Sequence, residues 1–174
     1  MDHLLTLRKI QTTDYDFLKS ILQNQPLMLL GWGKIYTDIE VVRWYNRVQK
    51  EYNSNGYSYY IVEKKHLNQP VGIAGLLKTT INEREYTEIA YIIKKEFQGH
   101  GYATLISKQL IDLAFNKFKL TQVIAQSNPK NLASQKIIQN IGMTYEFSYL
   151  RQQNKQYVKH WVYSIKASSN ASKD

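Results

Sequence analysis

The spacing of hydrophobic and polar residues predicts an α/β chain that begins with a strand and two helices. Residues 4–10 alternate between apolar and polar side chains, which is typical of a half-buried strand. Thr12, Thr13 and Asp14 offer N-cap residues for a first helix, and Pro26 is predicted to end that helical region. A second helix is predicted from Thr37-Asp38, because apolar residues recur at helical spacing over residues 39–48.

Three further strands are predicted in quick succession after the turn signal at residues 53–56. They cover residues 57–63, 71–77 and 86–93, and turn-forming residues separate them. The second of these strands contains Gly72 and Gly75, which indicate close approach of another backbone. Short connections between consecutive strands predict an antiparallel meander.

The remaining elements complete a mixed α/β pattern. An apolar helical stripe over residues 105–118 precedes a strand at 120–125 and a helix at 131–140, which Gly142 ends. Residues 143–150 and 156–165 predict a closing pair of strands. The predicted order is β-α-α-β-β-β-α-β-α-β-β, with one domain over residues 1–166 and a polar C-terminal tail over residues 167–174.

Composition narrows the class of protein. The chain has 174 residues, of which 43% are hydrophobic, and this suits a single core. No apolar run reaches the roughly 20 residues of a spanning helix, the first residues do not resemble a signal peptide, and cysteine is absent. These features predict a cytoplasmic location and no membrane association. The net charge of +9 fits either a solvated basic surface or a field that attracts anions such as coenzyme A or RNA.

A glycine-containing loop carries the clearest candidate chemistry. The segment Gln98-Gly99-His100-Gly101-Tyr102-Ala103 lies between a predicted strand and a predicted helix. Unpartnered N–H groups and the dipole at a helix N-terminus attract phosphate, and glycine lets the backbone approach it closely. An ordinary tight turn is the alternative. The Walker loop is excluded because no Gly-Lys-Ser or Gly-Lys-Thr follows, and the dinucleotide fingerprint because its third glycine is absent.

Two motifs together resemble the GNAT superfamily of N-acetyltransferases. Its signature is Arg or Gln, then any two residues, Gly, any one residue, and Gly or Ala. The matching residues here are Gln98, Gly101 and Ala103. About thirty residues later, the segment 128–134 (Asn-Pro-Lys-Asn-Leu-Ala-Ser) and the run 141–143 (Ile-Gly-Met) match a second motif. The chain resembles the branch that includes ribosomal-protein N-terminal acetyltransferases and spermidine acetyltransferases, and Arg8 and Asp14 resemble that branch's opening.

The resemblance implies a single domain whose mixed, mostly antiparallel sheet is flanked by helices and splayed around acetyl-coenzyme A. The backbone from Gln98 to Thr104 would hold the pyrophosphate, and the strand end near Ile93 would pair with the pantetheine arm. Asn131 would hydrogen-bond that arm. The cofactor-binding residues implied in this way are Tyr91, Ile92, Ile93, Gln98, Gly99, His100, Gly101, Tyr102, Ala103, Thr104, Asn128, Asn131 and Ser134.

Two residues are candidates for proton transfer. Glu88 precedes the pantetheine-pairing segment on the same strand and is the candidate general base; the alternative is a surface carboxylate. Ser134 lies one helical turn after Asn131 and is the candidate acid for the leaving thiolate; the alternative is a helix serine bonded to its own backbone. Many superfamily members use a tyrosine seven positions after that asparagine, where this chain has Ile138.

The sequence constrains the acceptor substrate less than it constrains the acetyl donor. Trp32, Tyr36 and Trp44 fall where this superfamily builds its acceptor pocket, with core packing as the alternative. The four histidines have no metal-ligand spacing, so no metal is expected. The predicted function is direct transfer of acetyl from acetyl-coenzyme A to a primary amine of a protein N-terminus or a small molecule. The basic charge suits association with a ribosome, and a monomer or homodimer is expected.

Two other classes of function remain open. The first is a non-catalytic module that senses acyl-coenzyme A, which loss of both Glu88 and Ser134 would favour; both residues are present. The second is an RNA-binding protein, although the sequence lacks the aromatic signature of an RNA recognition motif and a contiguous basic run.

Overall fold

The computed structural model describes residues 4–153 and 155–168, which form seven strands and five helices in one α/β arrangement. The elements in chain order are β1 (Leu5–Lys9), α1 (Tyr15–Leu22), α2 (Gln25–Gly31), α3 (Asp38–Asn55), β2 (Tyr59–Lys64), β3 (Gln69–Ile81), β4 (Arg84–Ile93), α4 (Tyr102–Asp112), β5 (Gln122–Ser127), α5 (Leu132–Asn140), β6 (Thr144–Gln153) and β7 (Gln156–Lys166). Most of the predicted tail, residues 169–174, lies outside the described residues.

One seven-stranded sheet, in the order β1-β2-β3-β4-β5-β7-β6, organises the molecule. All neighbouring strands are antiparallel except β4 and β5, which are parallel and share the single register pair Glu88↔Ile124. The two strands separate beyond that pair and leave a gap within the sheet. The predicted fold class, a mixed and mostly antiparallel sheet flanked by helices, is confirmed.

The predicted antiparallel meander is present as β2, β3 and β4. Its glycines allow close packing of the backbone, as the sequence indicated. A Cβ atom added at Gly75 would collide with the carbonyl oxygen of Ser58, and one added at Gly72 would collide with that of Ile92. This packing fixes the position of β4, which borders the gap.

The helical region before the meander contains three helices, so the prediction that Pro26 ends it was wrong. Pro26 instead lies in the first turn of α2, where its missing N–H group costs no hydrogen bond. Asn24 caps this helix, because its side-chain oxygen accepts a hydrogen bond from the backbone N–H of Leu27 at 3.2 Å. The observed order therefore has one short helix more than the predicted order.

A partly buried ion network joins β1 to the start of α1. The guanidinium of Arg8 donates to both carboxylate oxygens of Asp14, each at 2.9 Å, and to Glu63 at 2.9 Å. The backbone N–H of Gln11 also donates to Asp14, at 2.7 Å. Burial alone would raise the pKa of Asp14, but the Arg8 and Gln11 hydrogen bonds oppose it, and the net pKa is lowered.

We expect Asp14→Asn to lower the free energy of unfolding by about 2–3 kcal/mol at pH 7, since Arg8 loses an anionic partner inside the protein. The lowered pKa means that the carboxylate stabilises the fold above its unfolded pKa and that this contribution is lost as pH falls through the folded pKa. Thermal unfolding at pH 7 and pH 3 measures the effect, with the exposed Asp16→Asn as control. A loss of stability in Asp14→Asn that is as large at pH 3 as at pH 7 contradicts the prediction.

None of the helices among the described residues is both long and apolar enough to cross a membrane.

Candidate active site

A cleft of about 1260 Å³ opens where β4 and β5 separate. It runs through the sheet, so it has two ends that differ in chemistry. One end is formed by the loop before α4 and by α5. The other is formed by side chains of α2, α3 and β6 around Glu88.

The glycine loop forms the first end of the cleft. Gly99 and Gly101 have φ angles of +79° and +76°, a backbone conformation that favours glycine, and the space around both is open. Gly101 is the N-cap of α4, and no side chain caps this helix. The N–H groups of its first turn therefore keep their capacity to bind an anion.

Most of the predicted loop residues line the cleft: Gln98, Gly99, Gly101, Tyr102, Ala103 and Thr104. The side chain of Gln98 donates a hydrogen bond to the carbonyl of Ile93 at 2.8 Å and so ties the loop to the end of β4. His100 is the exception. Its ring lies against the loop's own backbone, 2.9 Å from the carbonyl oxygen of Gln98, and stacks on Tyr102 instead of lining the cleft.

The end of β4 lies along the gap, and Tyr91, Ile92 and Ile93 all line it. On one edge these residues pair with β3, with Ala74↔Tyr91 and Gly72↔Ile93 in register. On the other edge, β5 pairs with β4 only at Glu88. The described part of the sheet thus leaves one edge of β4 open beyond Glu88, where an extended ligand can pair as an added strand.

The start of α5 borders the same end of the cleft. Asn131 is the N-cap of this helix, and its side-chain oxygen accepts from the backbone N–H of Ser134 at 3.1 Å. The side-chain oxygen of Asn128 accepts from the N–H of Lys130 at 2.9 Å. The hydroxyl of Ser134 lies 3.4 Å from the phenol oxygen of Tyr91, so two hydroxyl groups lie close together at this end of the cleft.

Glu88 lies at the opposite end of the cleft, partly buried. The side-chain amide of Gln126 donates to its carboxylate at 2.8 Å, and the hydroxyl of Tyr149 donates to the oxygen of that amide. Burial raises the pKa of Glu88 to about 7, against smaller lowering effects from Arg151 and Gln126. A carboxylate with this pKa exchanges protons near neutral pH, as a general base must.

Glu88 and Tyr91, whose hydroxyl contacts the other proton-transfer candidate Ser134, lie on opposite faces of β4. Side chains alternate along a strand, so Glu88 and Tyr91, three residues apart, point to different sides of the sheet. Glu88 points to the face that carries Gln126 and Tyr149. Because the sequence predicts that Glu88 takes a proton from the acceptor amine, we call this the acceptor face. Tyr91 points to the face where Ser134 lies. The gap between β4 and β5 connects the two faces.

Several polar residues at the acceptor end were not among the sequence-predicted site residues. Tyr59, Gln126, Arg151 and His160 all line the cleft near Glu88. They come from β2, β5, β6 and β7, which are distant in sequence. Alternation within each strand is readable from the sequence, but the register that brings Tyr149 opposite His160 is not.

Of the three aromatic residues predicted for the acceptor pocket, two line the cleft and one does not. Trp32 and Tyr36 line the cleft. Trp44 does not: it is 4% exposed and packs in the core with its ring 5.0 Å from that of Tyr59. Its position on the inner face of α3 directs it into the core, so the alternative interpretation of core packing applies to Trp44.

The described residues include no candidate metal site. Residues 4–153 and 155–168 contain no group of three or more His, Asp or Glu side chains arranged to hold a metal ion.

Comparison with known proteins identifies the family. The family model described as "Acetyltransferase (GNAT) domain" matches residues 5–144. The spermidine N(1)-acetyltransferase of Vibrio cholerae is 27% identical over 134 residues, which cover 75% of this chain and 75% of that protein.

Solved structures show the same fold. The V. cholerae spermidine N-acetyltransferase in complex with CoA and spermine superposes with a TM-score of 0.78 at 22% identity, covering 94% of this chain and 95% of that chain. The ribosomal-protein-S5-alanine acetyltransferase of Vibrio fischeri superposes with a TM-score of 0.78 at 19% identity, covering 97% and 96% of the two chains.

Proposed function

The chain belongs to the acetyltransferase (GNAT) family and is an acetyl-coenzyme A-dependent N-acetyltransferase, and we propose that a primary amine attacks the thioester directly within a ternary complex. The observation that carries this proposal is the gap between β4 and β5. It joins an uncapped helix N-terminus on one side to a carboxylate of raised pKa on the other. A donor can enter from the first side and an amine from the second.

The donor end fits coenzyme A by its chemistry. The first turn of α4 and the loop Gln98–Gly101 offer backbone N–H groups to the pyrophosphate. The open edge of β4 near Ile93 offers backbone groups to the amide-containing arm, and an N–H there can also stabilise charge on the carbonyl oxygen. The side-chain nitrogen of Asn131 is available to the same arm, because its oxygen caps α5.

The groups that transfer protons lie on both faces of β4. The neutral amine attacks the acetyl carbon, a C–N bond forms and the C–S bond breaks. Glu88 takes the proton that the amine loses, directly or through a water molecule. Ser134 gives a proton to the departing thiolate and regains one from the Tyr91 hydroxyl 3.4 Å away. After the products leave, solvent returns a proton to Tyr91 and takes the proton from Glu88. The chain has no cysteine that could form an acyl-enzyme.

The physiological acceptor is a separate part of the proposal. The amine belongs either to a protein N-terminus or to a small molecule. The named relatives offer examples of both, a spermidine acetyltransferase and a ribosomal-protein acetyltransferase. The charge of +9 suits a partner rich in phosphate such as a ribosome, in the cytoplasm, with the enzyme as a monomer or homodimer.

An acceptor panel tests the proposed function. Peptides with free N-termini, polyamines, aminoglycosides and amino acids are each incubated with acetyl-coenzyme A, and release of free thiol is followed. We expect at least one amine to raise thiol release well above the acceptor-free rate. Binding of acetyl-coenzyme A without thiol release for any amine would overturn it in favour of a sensor.

We expect Ser134→Ala to lower kcat about tenfold with little change in the KM for acetyl-coenzyme A, since a thiolate can leave unaided but more slowly. Ser20→Ala is the matched control, because that exposed hydroxyl donates only to the backbone carbonyl of Phe17. Steady-state kinetics measure both variants. An unchanged kcat for Ser134→Ala would exclude this serine as the acid. Tyr91→Phe would then be the next variant to measure.

A further inference from the structure

The acceptor end of the cleft contains a cation without a close partner. Arg151 lies on β6 and lines the cleft together with Glu88. It is two residues from Tyr149, so both side chains point to the acceptor face. Within the part of the chain that the structure describes, its guanidinium has electrostatic interactions with Glu88, Tyr149 and His160, but no hydrogen bond or ion pair.

The other arginine and the second carboxylate at this end already pair with each other. Arg47 and Glu51 form an ion pair at 3.7 Å on α3, and Glu51 also accepts a hydrogen bond from Ser58. Burial lowers the pKa of His160, which disfavours a positive charge on this side chain. Glu88 is assigned to proton transfer. Among the described residues, neither Arg151 nor the exposed Lys78, which also lines the cleft, has an anionic group at ion-pair distance, and the charge of Arg151 acts on Glu88.

This arrangement disfavours a polycation as acceptor. A polyamine that placed one amine at Glu88 would bring its remaining positive charges towards Arg151, and it would find no unengaged carboxylate to offset the repulsion. An acceptor with an anionic group would gain from the same arginine. Guanidinium groups bind carboxylates through two parallel hydrogen bonds, a geometry that also orients the ligand.

We propose that the acceptor of this enzyme is an amine that carries a carboxylate, with the amine at Glu88 and the carboxylate held by Arg151. This inference rests on the proposed acetyl transfer and adds the substrate class. Trp32, Tyr36 and Tyr59 surround the same space and offer aromatic surface to the body of the ligand. An α-amino acid with an apolar side chain fits this chemistry, and so does a peptide terminus with an acidic side chain nearby.

Matched acceptors test the substrate class with the wild-type enzyme alone. Phenylalanine is compared with phenethylamine, which lacks only the carboxylate, and kcat/KM is measured above the pKa of both amines so that protonation does not differ. We expect at least a tenfold preference for phenylalanine. A peptide with N-terminal Ala-Asp is compared with one with N-terminal Ala-Asn, which distinguishes a macromolecular from a small-molecule source of the carboxylate.

Arg151 is then tested by substitution. We expect Arg151→Gln to reduce the preference for the carboxylated acceptor to about one, mainly through the KM of that acceptor. Arg43→Gln is the control, since that exposed arginine on α3 gives the same change of charge away from the cleft. Thermal unfolding establishes that each variant is folded.

The outcomes separate this inference from the function on which it rests. If phenethylamine or spermidine is acetylated as well as or better than every carboxylated acceptor, the inference is overturned and the acetyltransferase activity stands. If the preference is the same in Arg151→Gln as in the wild type, Arg151 is not the carboxylate site. If no amine of any kind is acetylated, both the proposed function and the inference fail.

Discussion

Glu88→Gln is expected to lower kcat by about a hundredfold or more near pH 7, which is the usual contribution of a positioned general base. Glutamine keeps the size of the side chain and its contact with Gln126 but cannot take a proton. Because the pKa of Glu88 is about 7, wild-type activity is predicted to rise as pH increases through neutrality. The variant should approach the wild-type rate at high pH, where the amine is already neutral. Rates of thiol release between pH 6 and 10 measure this difference.

Glu85→Gln is the matched control, because Glu85 lies on the same strand and is exposed to solvent. The Glu88 variant also has a stability readout. A carboxyl group whose folded pKa is raised binds more protons in the folded state, so its ionisation destabilises the fold as pH increases from about 4.5 to 7. Glu88→Gln should therefore unfold at a higher temperature than the wild type at pH 8 and not at pH 4. Equal turnover of variant and wild type at every pH would exclude Glu88 as the base.

Gly101→Glu is expected to abolish the stabilisation that acetyl-coenzyme A gives to the wild-type protein. A ligand at 100 times its Kd raises the free energy of unfolding by about 2.7 kcal/mol, which is a shift of several degrees in Tm. A glutamate at Gly101 places negative charge and bulk at the first turn of α4, where we propose that the pyrophosphate binds. Differential scanning fluorimetry with millimolar acetyl-coenzyme A measures the shift.

Gly56→Glu controls for backbone strain in this experiment. Gly56 has a φ of +83°, close to the +76° of Gly101, and it lies exposed at the end of α3 away from the cleft. Both variants should lose intrinsic stability because a side chain is disfavoured in this conformation. Only Gly101→Glu should lose the response to cofactor. A full cofactor shift in Gly101→Glu would exclude the loop as the pyrophosphate site.

The features that the sequence predicted correctly are those that depend on neighbouring residues. The strand, loop and helix around Gln98–Ala103 form one continuous segment, so glycine placement and helical periodicity were sufficient to locate the loop. The meander was readable for the same reason, since short turns join its strands. Pro26 was misread because a proline can either end a helix or occupy the first turn of the next one, and local sequence does not decide between these.

The surroundings of Glu88 could not be read in this way. Its hydrogen-bond partner Gln126 is on β5, and Tyr149, which orients Gln126, is on β6. Their meeting depends on strand order and on a register that shifts between Tyr145 and Phe147. Trp44 illustrates the same limit, because the packing of α3 against the ring of Tyr59 determines whether this side chain faces the core or the cleft.

The single register pair between β4 and β5 also bears on how the protein opens and closes locally. Four strands lie on one side of that pair and three on the other, so few backbone hydrogen bonds join the two halves of the sheet. Amide protons beside the gap should then exchange with solvent faster than those in the meander. A bound donor that pairs with β4 would slow this exchange and protect the chain from proteases.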